Sequence, residues 1–351
     1  MSVLEDPRPT IGFVPDPTPL RFDIPVAPGG YAWWYLDAVS DDGTLALTII
    51  AFVGSVFSPG YARARRAMAR GGPPADPERC CAINVGLYRS EGRNAWALTE
   101  HADFTRSRDA LRIGASSMRW RTSAAGHSYL EVEIDELETR FGARRGPPLR
   151  GKIRLYPNAL FGPRIELDRS RPLQQRGRHR WYPVAPHARV EVEFDAPALR
   201  FSGSGYHDVN EGDEGLELGF GSWNWSRTQL DRERTAILYD VVTRERGIDA
   251  RGWLFTPERR AVELIEPESL GRATALARTR WGVDRAIRSD NGHTPTLIST
   301  LEDTPFYSRN LVATRIAGHA ATAVHESVSL ERFAARAVQF LLPFKIRVSS
   351  L

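Results

Sequence analysis

Five residues in two predicted strands have the types and the spacing that acid chemistry on an apolar substrate requires. The first strand carries His179 and Trp181, and the second carries Tyr206, Asp208 and Asn210. Residues two apart in a β-strand share a face, so each string presents its side chains together. A proton donor among aromatic rings suits protonation of an electron-rich carbon, because the rings tolerate the positive charge that follows. The alternative interpretation is a pair of half-buried strands whose polar groups are satisfied.

Two further strings place large aromatic residues on one face of a predicted strand. Trp33 shares a face with Tyr35, and Trp223 shares a face with Trp225 in a later strand. Large rings can bound an apolar pocket and face a cation. We therefore predict these four as substrate-binding residues, although an aromatic core strand explains the first pair equally well.

Other kinds of site have little support in the sequence. The chain has no Gly-rich phosphate loop, no Cys-x-x-Cys pair and no His-Glu-x-x-His helix. His179, His187 and His207 could meet a metal ion together with Asp208, but they form no dense cluster and we predict no metal site. The absence of a strand-turn-helix serine motif argues against Ser-His-Asp hydrolysis.

The composition indicates a cytosolic protein with a sizeable core. The 351 residues carry a formal net charge of +4, and the cations are mostly arginines scattered among acids, so we predict no nucleic-acid partner. Cys80 and Cys81 are adjacent, which disfavours an ordinary structural disulfide and fits a reducing compartment. The N-terminus shows no secretory signal pattern.

Short β-like segments separated by turn signals occupy most of the chain. Residues 190–194 alternate between apolar and charged, and the apolar run 45–57 is too short for a membrane helix, so both are predicted strands. Helical periodicity appears only over residues 330–342. Docking of this amphipathic helix on the fold is favoured, and contact with a membrane surface is the alternative.

Proline clusters divide the chain into predicted parts. Residues 1–30 are rich in proline and predict an extended arm. A second cluster at 183–186 lies between two series of strands. We therefore predict two β-barrel-like or sandwich modules, residues 31–185 and 186–351, the second ending in the amphipathic helix. The Arg-rich stretch that contains Arg63, Arg65, Arg66 and Arg70 is predicted to be a solvated loop.

Several longer strings resemble the carotenoid 1,2-hydratases, also called hydroxyneurosporene synthases, and they span residues 30 to 347 in the right order. They are 30–37 (GYAWWYLD), 50–59 (IAFVGSVFSP), 177–181 (GRHRW), 205–208 (GYHD), 223–227 (WNWSR), 301–307 (LEDTPFY) and 324–327 (VHES). Long strings in a fixed order are far more specific than any single short motif.

The resemblance implies an all-β fold of two tandem lipocalin-like β-barrels with a short C-terminal helix. It implies a lyase of carotenoid biosynthesis that adds water to the terminal C1=C2 double bond of acyclic carotenoids such as neurosporene and lycopene, without a cofactor. It also implies catalytic roles for His179, Trp181, Tyr206 and Asp208. Position 224 is commonly Asp in the family and is Asn here, so an acid required at that position would make this protein inactive.

We predict that Asp208 protonates C2, that a tertiary carbocation forms at C1, and that water captures it. Burial can raise a carboxyl pKa by roughly 3 to 5 units, which would keep this acid protonated near neutral pH. His179 or Tyr206 would orient the carboxyl group and relay a proton, with the imidazole neutral. The alternatives are a non-catalytic lipocalin-like carrier of apolar ligands and a cyclase or isomerase of natural-product biosynthesis.

Such a substrate dissolves in bilayers, whereas the sequence has no run long enough for a membrane-spanning helix. We therefore predict peripheral contact with the inner membrane face, through the C-terminal helix or the Arg-rich stretch. The preferred carotene, the number of ends hydrated and the oligomeric state stay open.

Overall fold

The computed structural model describes residues 21–140, 142, 144–265 and 269–348, and most of them lie in β-strands. Residues 1–20 of the predicted arm lie outside the described residues. In chain order the strands are β1 (Tyr31–Ser40), β2 (Leu45–Val53), β3 (Cys81–Arg89), β4 (Ala95–His101), β5 (Phe104–Arg106), β6 (Ala110–Ile113), β7 (Ser116–Thr122), β8 (Ser128–Arg140), β9 (Arg144–Pro157), β10 (Ile165–Glu166), β11 (His179–Ala196), β12 (Ala198–Gly212), β13 (Phe220–Gln229), β14 (Thr235–Thr243), β15 (Ile248–Thr256), β16 (Ala261–Ile265), β17 (Thr274–Leu276), β18 (Arg285–Ile287), β19 (Thr296–Asp303), β20 (Tyr307–Ile316), β21 (His319–Ser329) and β22 (Arg347–Val348). The helices are α1 (Pro59–Met68), α2 (Leu216–Gly219), α3 (Leu330–Ala334) and α4 (Arg336–Leu341), and 3-10 turns cover Pro77–Arg79, Leu173–Gln175 and Leu342–Phe344.

These strands form two large sheets, in which neighbours are antiparallel except for the pair β22 and β4. The first sheet has the order β22-β4-β3-β2-β1-β12-β11-β9-β8-β7-β6-β5, with β10 paired to β11. The second has the order β16-β15-β14-β13-β21-β20-β19, and β17 pairs with β18 in a separate ribbon. The first sheet curls on itself, since Leu98 N on β4 donates to Thr139 Oγ1 on β8 at 3.2 Å.

Strand alternation gives the first sheet two apolar faces. On β1, Trp34 and Leu36 pack inside the curled sheet, whereas Tyr31 and Tyr35 face the second sheet. The outer face of the first sheet packs against the inner face of the second sheet. Together they form one apolar cluster, which includes Trp181, Tyr206, Trp225, Tyr239, Trp253 and Phe255. We call this layer between the two sheets the seam.

The prediction of an all-β fold is confirmed, and the alternating residues 190–194 lie in β11 with alternating burial. The predicted boundary between residues 185 and 186 also falls inside β11. Pro183 and Pro186 lack a backbone N–H group, and the pairing of β11 with β12 shifts register on both sides of Ala185. The prolines therefore make a strand irregular without ending it. The strands up to Gly212 belong to the first sheet, and later strands form the second sheet and the ribbon, except that β22 returns to the first. The division into two domains stays a prediction.

Helix α1 lies where a solvated loop was predicted, and that prediction was wrong. Ser58 caps the helix by accepting a hydrogen bond from Tyr61 N at 3.1 Å, and Pro59 occupies its first turn. Arginine is a good helix former, and its long stem can be buried while its charge is paired. Arg65 does this by contacting Glu217 at 3.2 Å.

The predicted C-terminal helix is broken at Ala335, whose backbone is extended (ψ 137°) between α3 and α4. Leu330, Phe333 and Val338 are buried in the seam cluster, so this segment docks on the fold. The break turns the outer side of α4 toward solvent, where Phe340 is 69% exposed. Uniform helical periodicity does not foresee such a change of direction.

Candidate active site

Asp208 lies on β12 in the seam with 3% of its surface exposed, directly opposite Tyr35 of β1. Tyr206 OH and Trp181 Nε1 donate to its Oδ2 at 2.7 and 2.8 Å. Asn210 Nδ2 donates to Oδ1 at 3.1 Å. Because these donors come from alternate residues of two adjacent strands, the predicted spacing does bring the four side chains together. Their catalytic roles stay predictions.

Burial raises the pKa of Asp208 to about 8, since the apolar seam disfavours the charged carboxylate. Hydrogen bonds from Tyr206 and Trp181 act in the opposite direction, and the negative charges of Glu326 and Asp37 raise the pKa further. Oδ2 already accepts two hydrogen bonds and Oδ1 only one, so the proton belongs on Oδ1. Near neutral pH this carboxyl group therefore has a proton to donate.

Aromatic rings surround the carboxyl group within the seam. Trp225 has its ring centroid 5.3 Å from that of Tyr206 and 5.7 Å from that of Tyr35. Trp181 packs 5.2 Å from Tyr239 and 5.1 Å from Trp253, again between ring centroids. The carboxyl group therefore lies in apolar surroundings rich in π-electrons, an environment that can stabilise a cation.

The four predicted substrate-binding residues fall into two groups. Tyr35 and Trp225 pack against Tyr206, beside the carboxyl group. Trp33 and Trp223 are half-buried on the same strands, where Trp33 stacks on Tyr31 at 4.8 Å and Trp223 meets Phe220 at 5.5 Å. All four face the seam, and their contact with substrate stays a prediction.

His179 shares a strand face with Trp181 but does not reach Asp208, so of the two residues predicted to orient the carboxyl group only Tyr206 contacts it. Its pairing partner on β12 is Gly212, which is the second residue beyond Asp208 on the same face of that strand. The imidazole Nδ1 is 3.0 Å from Tyr31 OH, and Nε2 is 3.4 Å from Glu214 Oε1. Strand spacing predicts the face of a side chain and leaves the register with the next strand undetermined.

A buried ionic network in the seam was missed by the sequence analysis. Arg227 Nε donates to Asp37 Oδ1 at 2.6 Å, and Arg309 Nη2 lies 2.5 Å from Glu326 Oε1. Tyr35 OH lies between the two carboxyl groups, 2.8 Å from Asp37 Oδ2 and 2.9 Å from Glu326 Oε1. The sequence did contain a signal for this network, namely a charged residue at an inward position of an otherwise apolar strand. Asp37 in the string 30–37 and Glu326 in the string 324–327 are such residues.

Asn224 lies on the other face of β13 from Trp223 and Trp225. Its Oδ1 accepts a hydrogen bond from Ser327 Oγ at 2.6 Å and contacts Ala286 N at 3.4 Å. An acid at position 224 would therefore be separated from the Asp208 cluster by the second sheet. This geometry favours position 208 over position 224 as the site of the acid.

The histidines weighed for a metal site have separate surroundings. His207 points into the first sheet, where its Nδ1 is 2.7 Å from the carbonyl oxygen of Tyr35 and burial lowers its pKa to about 4. His187 Nδ1 is 2.9 Å from Thr235 Oγ1. Within residues 21–140, 142, 144–265 and 269–348, no group of three metal-ligating side chains forms.

Sequence comparison identifies relatives over most of the chain. A family model described as carotenoid hydratase CrtC matches residues 49–350. An acyclic carotenoid 1,2-hydratase of Thiocapsa roseopersicina is 43% identical over 333 residues, which cover 93% of this chain and 75% of the relative. The enzyme of the same name from Rubrivivax gelatinosus is 41% identical with the same coverage.

Solved structures share the fold at low sequence identity. A protein described as AttH of Nitrosomonas europaea superposes with a TM-score of 0.56 and 13% identity, covering 85% of this chain and 92% of its own. CghA in complex with Sch210972 superposes with a TM-score of 0.51 and 13% identity, covering 92% and 97%. The predicted lipocalin-like, all-β architecture is therefore confirmed at the level of the fold.

Proposed function

The chain belongs to the carotenoid hydratase family, and we propose that it adds water across the terminal C1=C2 double bond of acyclic carotenoids such as neurosporene and lycopene. It is a hydro-lyase of carotenoid biosynthesis. The observation that carries the proposal is a carboxyl group, that of Asp208, buried among aromatic rings and held only by neutral donors.

The reaction begins with transfer of the Asp208 proton to C2. The π electrons form the new C2–H bond, and C1 becomes a tertiary carbocation. Tyr206 and Trp181 then hold the resulting carboxylate through the two hydrogen bonds that they already make to Oδ2. Water forms the C1–O bond and releases a proton, so no proton is consumed overall.

The surrounding rings contribute part of the stabilisation of the cation. A desolvated ring can contribute roughly 0.5 to 2 kcal/mol, and Trp225, Tyr206 and Tyr239 are the nearest candidates. Enzymatic accelerations start at about 8 kcal/mol of barrier reduction, so rings alone do not suffice. Positioning of the acid, the alkene and one water molecule supplies the larger share.

We assign His179 a positioning role. It meets the hydroxyl group of Tyr31, whose ring stacks on Trp33, a predicted wall of the substrate site. Its ring also packs 4.5 Å from Phe220, the first residue of β13. Loss of the imidazole would therefore disturb the wall that the substrate contacts, without removing the proton donor.

Incubation of the purified protein with lycopene tests the function. A hydratase gives a product heavier by one water molecule. A cyclase or isomerase gives a product of unchanged mass, and a carrier returns the pigment unaltered. Either of the last two results would contradict the proposal.

We expect hydration activity to fall above about pH 8, where Asp208 loses its proton. For a single ionising acid the loss is about tenfold in kcat/KM per pH unit. The hydrogen bond from Tyr206 lowers this pKa, so Tyr206→Phe should move the fall to higher pH. Tyr156→Phe, which alters a tyrosine bonded to Glu191, serves as the control. A pH profile unchanged by Tyr206→Phe would count against Asp208 as the titrating acid.

We propose that the protein contacts the membrane peripherally through the outer side of α4. No helix in the part of the chain that the structure describes is long and apolar enough to cross a bilayer. Phe340 and Leu341 are 69% and 36% exposed, and the exposed cations Arg336 and Lys345 flank them. Apolar insertion combined with basic residues is the pattern by which proteins bind an anionic leaflet.

Flotation with vesicles containing phosphatidylglycerol checks this contact. We expect the double variant Phe340→Ser and Leu341→Ser to lower the bound fraction at least about tenfold, because two apolar anchors are lost. Ile298→Ser on β19 is the matched control, since Ile298 is also exposed, at 54%. Equal flotation of the double variant and the wild type would exclude this side of α4 as the contact.

A further inference from the structure

Glu326 is a second carboxyl group in the seam, and its surroundings differ from those of Asp208. It lies on β21 directly opposite Trp225 of β13. Arg309 Nη2 is 2.5 Å from its Oε1, and Tyr35 OH is 2.9 Å from the same oxygen. Glu326 therefore has a guanidinium group beside it that favours the ionised form, whereas the hydrogen-bond donors to Asp208 are neutral.

The hydroxyl group of Tyr35 lies at hydrogen-bond distance from two carboxyl groups but has only one proton to donate. Its oxygen is 2.8 Å from Asp37 Oδ2 and 2.9 Å from Glu326 Oε1, and it accepts a hydrogen bond from Arg309 Nη1 at 2.7 Å. With both carboxyl groups ionised, one of the two oxygen–oxygen contacts contains no hydrogen. Arg227 Nε donates to Asp37 Oδ1 at 2.6 Å, so that carboxyl group already has a guanidinium partner. Uptake of a proton by Glu326 would remove one of the two negative charges that compete for the Tyr35 hydroxyl proton.

Two groups beside this network have hydrogen-bonding capacity left for a water molecule. Among the described residues, Glu326 Oε2 has no hydrogen-bond partner, and the side chain is 13% exposed, so water can reach it. Trp225 Nε1 is buried and likewise has no partner in the described part of the chain. The Trp225 ring packs against the rings of Tyr35 and Tyr206, which also contact each other, and Tyr206 in turn bonds Asp208.

We propose that Glu326 is the general base of the reaction, holding the attacking water and taking its proton while Asp208 acts as the acid. This inference rests on the proposed function. After Asp208 has protonated C2, the water oxygen forms the C1–O bond and one water proton passes to Glu326 Oε2. The cycle leaves the proton on Glu326 and the negative charge on Asp208. Return of that proton to Asp208 restores the starting state with one water consumed.

The two environments suit this division of roles. Burial favours the protonated form of both carboxyl groups, and Glu326 differs in having the guanidinium group of Arg309 beside it, which favours the ionised form. Burial raises the pKa of Glu326, and the charge of Arg309 acts against that rise, which gives a carboxylate that is more basic than a free one. The hydrogen-bond donors to Asp208 are all neutral, and burial raises its pKa to about 8.

Lycopene hydration in D₂O by Glu326→Gln tests the proposal. We expect hydration to fall at least about 100-fold, the usual contribution of a general base. Recovered lycopene should nevertheless carry deuterium, because Asp208 still protonates C2 and the cation then loses a proton to re-form the alkene. Asp240→Asn is the matched control, since Asp240 is also a largely buried carboxylate paired with an arginine, Arg288 at 2.7 Å, and makes no contact with Glu326. This control should hydrate and exchange like the wild type.

Near-normal hydration by Glu326→Gln would overturn the proposal. So would loss of both hydration and deuterium uptake in a folded, lycopene-binding Glu326→Gln protein, because Glu326 would then serve no step specific to water. Asp208→Asn in the same assay separates this inference from the proposed function. Deuterium in lycopene recovered from Asp208→Asn would refute the assignment of Asp208 as the acid. Lycopene without deuterium from Asp208→Asn, together with deuterated lycopene from Glu326→Gln, would support both assignments.

Discussion

Replacing Asp208 with Asn is expected to lower hydration of lycopene by at least about 10³-fold, within the range for removal of a positioned acid. The amide has the size of the carboxyl group but no acidic proton. Its oxygen can accept the hydrogen bonds that Tyr206 OH and Trp181 Nε1 now give to Oδ2. Its NH₂ group would face Asn210, whose own amide can rotate to present oxygen. The seam should therefore stay intact while the chemistry stops.

Steady-state hydration and pigment binding, measured on the same preparation, check this prediction. Lycopene binding should be retained, and thermal unfolding should match that of the wild type. Asp240→Asn is a suitable control, because Asp240 is a carboxylate in an ion pair with Arg288 at 2.7 Å and makes no contact with the Asp208 cluster. Hydration within tenfold of the wild-type rate in Asp208→Asn would show that another group supplies the proton.

Replacing Arg309 with Met is expected to destabilise the protein by about 3 to 5 kcal/mol, the usual cost of breaking a buried ion pair. Arg309 is 1% exposed and bonds Tyr35, Tyr307 and Glu326 from the middle of the seam. Methionine fills much of the same volume but leaves the Glu326 charge without its cation. Urea unfolding at fixed pH measures the loss.

The stability loss caused by Arg309→Met should depend on pH, because the Glu326 carboxyl group remains buried without its cation. Without Arg309 the pKa of Glu326 in the folded state rises further above the ordinary 4.5, since that guanidinium lowers it in the wild type. A group with a raised folded-state pKa loses its contribution to stability as the pH rises from the unfolded to the folded value. The deficit of Arg309→Met should therefore be small near pH 4 and grow toward neutral pH.

An exposed ion pair supplies the control for that measurement. Arg112 and Asp103 are bonded at the surface with side chains 41% and 58% exposed, so Arg112→Met should cost no more than about 1 kcal/mol. A loss for Arg309→Met as small as for Arg112→Met, or one that does not vary with pH, would contradict the account of the buried network.

Sequence patterns predicted the acid cluster because its geometry is local. Tyr206, Asp208 and Asn210 are alternate residues of one strand, and alternation alone places them on a common face. Trp181 joins them because β11 and β12 are consecutive strands connected by a tight turn. The all-β fold followed from the same periodicity, since turn signals and β-branched segments recur along most of the chain.

The remaining parts of the site depend on contacts between distant segments. Tyr35 and Glu326 meet across 291 residues, in two different sheets, and no pattern within either strand specifies that contact. His179 has the predicted face but the wrong register, because pairing with β12 offsets it from Asp208. Helix α1 was missed because burial of the Arg65 stem depends on packing that composition does not reveal. The break at Ala335 was missed because helical periodicity continues through it in the sequence.

The protonation state of Asp208 is the central claim, and infrared difference spectroscopy between the wild type and Asp208→Asn measures it most directly. At pH 7 the account predicts the C=O stretch of a protonated carboxylic acid in the wild type, absent from the variant and lost as the pH rises through about 8. A spectrum showing only carboxylate at this position at pH 7 would contradict it, because an ionised Asp208 has no proton to give to C2.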